Sequence, residues 1–214
     1  MSNALTIAVS KGRTLEEALP VLAQAGIVPL EDPLVTRKLI LPSSDEAVRL
    51  VIVRAADVPT YVQFGAADLG VVGKDVLMEH GGTDLYELID LAIARCRMVV
   101  AEPRELALAD DPSRWTRLRI ATKYPYTTRR HFASKGIQTE VIKLYGSMEL
   151  APLSGLADRI VDLVSTGQTL AANALVEVEH IAHISARLVA NIAAMRTKQP
   201  QMRQLIDRIE RGVH

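Results

Sequence analysis

The hydrophobic positions of this 214-residue chain form short apolar runs that alternate with segments of mixed polarity. Runs of four to six residues, bounded by turn residues, are typical of strands buried in a sheet that is covered on both faces. They are Leu5–Val9, Arg49–Arg54, Leu69–Val72, Leu118–Thr122, Thr139–Leu144, Ile160–Val164 and Arg187–Asn191. A longer stretch, from Leu91 to Ala101, contains only Arg95 and Arg97 as polar positions and predicts a long strand that leaves the first sheet.

Helix signals lie between these runs. Thr14 and Glu17 have the spacing of a capping box, which predicts a helix from Leu15, and Gly26 stands where that helix should end. Further helices are predicted after Asp57, Gly73 and Ser147, and over Thr127–Ser134 and Gln199–Arg211. The alternation predicts an α/β protein with parallel sheets and two similar lobes with a cleft between them. Lobe I is expected to comprise residues 1–93 plus 178–214, and lobe II residues 94–177.

Composition excludes several classes of function. The chain has 25 basic and 25 acidic side chains, and aromatic residues make up 4%. A general nucleic-acid binder or a membrane-surface binder would need a basic excess, and a base-stacking surface would need aromatic residues. The single cysteine, Cys96, excludes an internal disulfide. The N-terminus has neither a basic region nor a long apolar region, so we expect no signal peptide and a cytoplasmic location.

One loop has the composition of a phosphate site. The predicted strand Ile160–Val164 runs into the segment Ser165–Leu170, here called the Ser/Thr loop, which has three hydroxyl side chains and Gly167. A turn of this kind directs several backbone N–H groups to one point, where phosphate oxygens can bind. Asp158 and Asp162 precede the loop, and Glu149 lies further upstream; carboxylates suit ribose hydroxyls or a magnesium ion. The alternative is an ordinary polar turn, with Glu149 as a first-turn acid of its helix.

Cations follow several of the predicted strands. Lys11 and Arg13 lie after the first strand, and Arg54 ends the second. Ligands of α/β sheets bind at the carboxyl ends of strands, so these cations predict a polyphosphate ligand. Alternatives exist: taken alone, the Ser10–Arg13 turn is more typical of a solvated basic surface, and Asp75, after the third strand, suits a helix N-cap as well as a ligand contact.

The Ser/Thr loop resembles the phosphoribosyl-pyrophosphate loop of phosphoribosyltransferases, in which acidic residues precede a Thr-Gly-x-Thr turn. Their common form has two adjacent acids, whereas Val161 stands beside Asp162 here, so the sequence assigns no direct metal ligand. The resemblance extends further. Together with this loop, the segments Val9–Arg13, Gly65–Gly70 and Gly73–Asp75 resemble the ATP phosphoribosyltransferase family of histidine biosynthesis, over about Leu5 to Asn191.

This resemblance implies a fold like that of the type II periplasmic binding proteins. It also implies transfer of the 5-phosphoribosyl group from phosphoribosyl pyrophosphate to N1 of ATP, with release of pyrophosphate and with Mg²⁺ as cofactor. The implied catalytic residues are Lys11, Arg13 and Glu149, and the implied ATP-binding residues are Arg13, Arg37, Arg54 and Asp75. The implied residues for phosphoribosyl pyrophosphate are Asp158, Asp162, Ser165, Thr166, Gly167, Gln168, Thr169 and Leu170.

The length of the chain resembles the short form of the family, which lacks the C-terminal domain that senses histidine. The short form implies a regulatory subunit that resembles histidyl-tRNA synthetase in a hetero-oligomer, and a homodimer when the chain is alone. The competing class is a small-molecule sensor, since the two-lobed fold also serves solute receptors. Release of pyrophosphate from the two substrates distinguishes an enzyme from a sensor.

Overall fold

A computed structural model describes residues 4–82, 84–108 and 118–213 of the chain. They form two compact units. Unit 1 comprises the described residues up to Ala94 and those from Ser185 onward, and unit 2 comprises those within Arg95–Ile184. The predicted lobe limits, 1–93 plus 178–214 and 94–177, differ from these units mainly where the chain returns from unit 2 to unit 1. Residues 178–184 belong to unit 2, because they continue a strand that pairs with Cys96–Pro103.

Unit 1 contains a six-stranded sheet in the order β2-β3-β1-β4-β11-β5. Its strands are β1 (Leu5–Ser10), β2 (Ile40–Pro42), β3 (Val48–Val53), β4 (Leu69–Gly73), β5 (Leu85–Asp90) and β11 (Ala186–Asn191). Strand β1 pairs in parallel with β3 and β4, while β2, β5 and β11 pair antiparallel with their neighbours. The carboxyl ends of β1, β3 and β4 therefore lie at one edge of the sheet, where ligands of such folds bind.

The helices of unit 1 cover this sheet. They are α1 (Arg13–Gln24), α2 (Val58–Gln63), α3 (Lys74–His80), α8 (Ile192–Thr197) and α9 (Gln199–Arg211), with a 3-10 turn at Ala55–Asp57. Leu15, Ala18 and Leu22, which lie on one face of α1 at helical spacing, are buried with Met202 and Leu205 of α9 in the main core. Burial of the β1 side chains on both faces explains why this strand reads as a continuous apolar run.

Unit 2 contains a five-stranded sheet in the order β10-β6-β9-β7-β8. Its strands are β6 (Cys96–Pro103), β7 (Leu118–Thr122), β8 (Thr139–Lys143), β9 (Arg159–Val164) and β10 (Leu175–Ile184). Its helices are α4 (Arg104–Ala107), α5 (Pro125–Ser134), α6 (Leu150–Leu153) and α7 (Gln168–Ala172). Strand β7 is parallel to β8 and β9, whereas β6 runs antiparallel to β9 and β10.

The predicted α/β class is confirmed, but three local predictions are wrong. Both sheets are mixed rather than parallel, because β6 and β11 enter their sheets in the opposite direction. The strand predicted over Leu91–Ala101 begins only at Cys96, after Ala92 and Ala94 adopt positive φ. No capping box forms: α1 begins at Arg13, and Glu17 instead accepts hydrogen bonds from Arg13 and from the N–H of Ala94. Within the described residues, no helix has the length and apolar character needed to cross a membrane.

Candidate functional site

The Ser/Thr loop follows the carboxyl end of β9, includes the first three residues of α7 and lines a pocket of about 240 Å³. Gly167 adopts the left-handed conformation (φ 80°), which allows the chain to turn directly into a helix at Gln168. N–H groups in the first turn of a helix have no partner within that helix. The pocket is lined by Glu149, Asp162, Leu163, Val164, Ser165, Thr166, Gly167, Thr169 and Leu170. The sequence prediction of a strand that runs into a turn is confirmed here, but the turn is shorter than predicted because α7 begins at Gln168.

Two carboxylates face this pocket. Asp162 is the fourth residue of β9, and Glu149 lies just before α6. Burial raises the pKa of the Asp162 carboxyl above its usual value, and the negative charge of Glu149 raises it further. A hydrogen bond from the Leu163 N–H, at 2.8 Å, and the charge of Lys123 act in the opposite direction. A half-buried acid beside a second acid suits a cation or hydroxyl donors better than an anion.

The structure separates Asp158 from the pocket. This residue precedes the amino end of β9, and the loop follows the carboxyl end, roughly 20 Å further along an extended chain. The Asp158 carboxylate instead accepts a hydrogen bond from Nη2 of Arg119 at 2.7 Å and another from the Arg119 N–H at 2.9 Å. Asp158 is thus held in an ion pair and does not line this pocket, and its role in substrate binding stays a prediction from the resemblance. Gln168 begins α7 with its side chain exposed and does not line the pocket.

Lys11 and Arg54 meet in unit 1. They follow β1 and β3, and the register of these parallel strands places Ser10 beside Val53. The Lys11 N–H continues the pairing, because it donates to the Val53 carbonyl at 3.2 Å. Both residues line a pocket of about 360 Å³ together with Leu39, Ile52, Val53, Asp57 and Tyr61. The pocket combines two cations with apolar and aromatic surface.

The other residues expected at the ATP site lie outside this pocket. Arg13 is exposed in the first turn of α1, and its Nε donates to Glu17 at 2.6 Å. Arg37 is exposed in the segment before β2. Asp75 is buried in the first turn of α3, with its carboxylate against Gly73. The structure therefore brings together two of the predicted cations, Lys11 and Arg54.

Sequence reasoning missed the residues that contact the Ser/Thr loop from outside its pocket. Arg97 of β6 donates to the Ser165 carbonyl at 2.9 Å and forms an ion pair with Glu177 of β10. The one signal for Arg97 was its charge inside an apolar stretch, since a charged strand residue needs a partner. No signal pointed to Glu177, because β10 itself was not predicted.

The chain is similar to known proteins over its whole length. The HisG family model, described as ATP phosphoribosyltransferase, matches residues 54–211. An ATP phosphoribosyltransferase from Acidithiobacillus ferrooxidans is 61% identical over 213 residues, which cover 100% of this chain and 99% of that protein. One from Burkholderia vietnamiensis is 60% identical, with 99% of this chain and 98% of that protein covered.

Solved structures agree with these matches. A chain of the ATP phosphoribosyl transferase (HisG:HisZ) complex from Thermotoga maritima has a TM-score of 0.82 at 33% identity, with 98% of both chains covered. The alkanesulfonate-binding protein SsuA from Xanthomonas axonopodis has a TM-score of 0.58 at 12% identity, covering 98% of this chain and 73% of that chain. The second likeness concerns the fold alone and agrees with the expected periplasmic-binding-protein-like architecture. The relatives are nearly equal in length to this chain, which agrees with the short form. The chain therefore belongs to the ATP phosphoribosyltransferase family.

Proposed function

We propose that the Ser/Thr loop binds the 5-phosphate of phosphoribosyl pyrophosphate in the reaction of this family, the first step of histidine biosynthesis. The observation that carries the proposal is the loop pocket itself, where hydroxyls and helix-start N–H groups stand beside two carboxylates. Its volume of about 240 Å³ is below the roughly 300–1,000 Å³ of pockets that enclose a whole drug-sized ligand. The pocket therefore suits one phosphoribosyl group rather than both substrates.

Asp162 and Glu149 then face the sugar. Carboxylates accept hydrogen bonds from ribose hydroxyls, and the pKa of Asp162 is raised mainly by its burial and further by the charge of Glu149. The same two groups fit Mg²⁺, which proteins commonly hold with one or two carboxylates and the phosphates of the substrate. Among the described residues, no group of three or more His, Cys, Asp or Glu could hold a metal. Bound Mg²⁺ would neutralise charge on the pyrophosphate that leaves.

Lys11 and Arg54 suit the phosphates of ATP or the leaving pyrophosphate. Both are donors without acceptor capacity, and their pocket also offers Tyr61 and Leu39 to an apolar group such as a base. Arg13 and Arg37 remain candidates for binding the same anions. Arg13, like Lys11, is also proposed as a catalytic residue. Asp75 remains a candidate for ATP binding through its position in the first turn of α3.

The chemistry needs placement more than proton transfer. N1 of adenine carries no proton, so no general base is required when it attacks C1 of the ribose. The C1–O bond to pyrophosphate breaks as the C1–N1 bond forms, and negative charge accumulates on the leaving group. Holding both substrates in reactive geometry, and placing cations at the leaving group, supplies the main reduction of the barrier.

A relative of known structure supports a proposal for the assembly. The Thermotoga maritima relative was solved as a HisG:HisZ complex. We infer that this chain likewise binds a regulatory subunit that resembles histidyl-tRNA synthetase, and that it forms a homodimer when alone. A cytoplasmic location is expected from the sequence, as stated above.

The test of the function is release of pyrophosphate by the purified chain in the presence of Mg²⁺. We expect release only when ATP and phosphoribosyl pyrophosphate are both present, with one phosphoribosyl-ATP formed for each pyrophosphate. The site is tested by Thr166→Ala, which removes a hydroxyl that lines the pocket. A hydrogen bond to a charged group contributes about 1.5–3 kcal/mol, so the affinity for phosphoribosyl pyrophosphate should fall at least about tenfold. Unchanged affinity in calorimetry would remove Thr166 from the site.

A further inference from the structure

Arg97 and Glu177 form an ion pair that contacts the Ser/Thr loop without lining its pocket. Nε of Arg97 donates to Oε2 of Glu177 at 2.8 Å, and Nη2 pairs with Oε1. The remaining nitrogen, Nη1, donates to the carbonyl oxygen of Ser165 at 2.9 Å. All three guanidinium nitrogens are thus engaged, and the planar fork of arginine fixes their directions relative to one another.

The sheet explains why these residues meet the loop. Arg97 of β6 lies opposite Val164, the last residue of β9, so its side chain starts where the loop begins. Glu177 comes from β10 on the other side of β6. The pair also packs against the glycine of the loop. A methyl group added at Gly167 would lie 3.6 Å from Oε1 of Glu177 and 3.8 Å from Nη2 of Arg97.

We propose that Arg97 and Glu177 are positioning residues, which orient the Ser165–Thr166 peptide so that the Ser/Thr loop can bind the phosphate. This inference rests on the proposed function of the loop. The peptide group is planar and trans, so its C=O and N–H point in opposite directions. Because the Ser165 carbonyl is held by Arg97, the Thr166 N–H must point away from Arg97. A cation at the carbonyl also polarises this peptide and strengthens its N–H as a donor.

Glu177 distinguishes two possible roles of Arg97, namely positioning the Ser/Thr loop and attracting the phosphate by its charge. A carboxylate in contact with a phosphate-binding loop repels the phosphate, so on charge alone it would weaken the site. Its role is explained if it aligns Arg97 and offsets the charge of that residue. The bond to Arg97 lowers the pKa of Glu177, and the same bond raises the pKa of Arg97, so the pair stays ionised at neutral pH.

The two explanations predict opposite results for Glu177→Gln. If Arg97 acted by attracting the phosphate, removal of the negative charge would lower KM for phosphoribosyl pyrophosphate. If the pair positions the loop, the loss of alignment raises that KM. Arg97→Lys is the second variant, because lysine keeps the charge but cannot hold Glu177 and the Ser165 carbonyl in one planar fork.

Arg119→Lys is the matched control. Arg119 pairs with Asp158 and donates to a backbone carbonyl, that of Gly155 at 2.9 Å, in the same sheet but at the amino end of β9. The exposed fractions of the two arginine side chains are similar, 33% for Arg97 and 40% for Arg119. If Arg97→Lys and Arg119→Lys lower Tm equally, that fall measures the general stability cost of losing an arginine–carboxylate ion pair, independent of its position in the sheet.

The experiment measures KM for both substrates, kcat and Tm in the wild type and the three variants. We expect Glu177→Gln and Arg97→Lys to raise KM for phosphoribosyl pyrophosphate about tenfold, the effect of one misplaced charge-assisted bond, with little change in KM for ATP. Arg119→Lys should leave both constants unchanged. The inference is overturned if Glu177→Gln lowers or does not change KM for phosphoribosyl pyrophosphate, or if Arg119→Lys raises it equally. In either case an active wild type leaves the proposed function intact. Absence of pyrophosphate release by the wild type overturns both.

Discussion

Gly167→Ala tests whether the backbone shape of the Ser/Thr loop matters. Gly167 has φ 80°, and a left-handed conformation costs an alanine about 1–2 kcal/mol. Alanine also restricts the unfolded chain, which returns about 0.4–1 kcal/mol, so the net loss of stability should be about 1 kcal/mol. The added methyl group meets its nearest neighbours at 3.6–3.9 Å, which is ordinary van der Waals contact. Strain in the backbone is therefore the only cost.

Gly136→Ala is the control for this strain. Gly136 has φ 71° after α5 in the same unit, and a methyl group there would meet nothing within 4 Å. Denaturant unfolding should give nearly equal losses of stability for the two variants. In the kinetic assay only Gly167→Ala should raise KM for phosphoribosyl pyrophosphate, by at least about tenfold if relief of strain breaks one hydrogen bond to the phosphate. If both variants bind this substrate like the wild type, the loop conformation has no part in phosphate binding.

Further predictions concern the other residues and the assembly. Asp162→Asn should reduce kcat and leave the stability of the fold unchanged or higher. Folding raises the pKa of Asp162, so the folded state binds more protons than the unfolded state in the acid range. The ionised carboxylate therefore lowers stability as pH rises through that range, and asparagine removes this cost. Wild-type turnover of that variant, or a large loss of Tm, would contradict this. Arg54→Ala should raise KM for ATP or lower kcat more than Arg37→Ala does, because Arg54 lines the unit 1 pocket. Histidine should not inhibit the purified chain without a regulatory subunit, as the short form implies; inhibition in its absence would refute that assignment.

The sequence predicted the parts of the structure that depend on local signals. The run Ile160–Val164 and the following turn were sufficient to place the Ser/Thr loop at a strand end, and glycines such as Gly26 ended helices as expected. Strand β10 was missed because its polar residues, including Glu177, Glu179 and His180, break any continuous apolar run. It forms in spite of them because it pairs along the whole of β6.

Separation along the sequence does not determine which acids share a pocket. Asp158 and Asp162 lie four positions apart, but Asp158 precedes the amino end of β9 and Asp162 lies near its carboxyl end. Of the two, Asp162 lines the pocket. Arg97 could not be connected with the Ser/Thr loop from sequence, because the contact depends on β6 and β9 being neighbours. Such pairings between distant segments follow from the topology of the sheet, which local patterns do not specify.

A crystal structure of the chain with phosphoribosyl pyrophosphate and Mg²⁺ tests the central claim most directly. The claim predicts the 5-phosphate within hydrogen-bond distance of the Thr166 and Thr169 hydroxyls and of the N–H groups between Thr166 and Leu170. The ribose hydroxyls should then face Asp162 and Glu149. A 5-phosphate bound at Lys11 and Arg54, with the Ser/Thr loop in contact with solvent only, would contradict it.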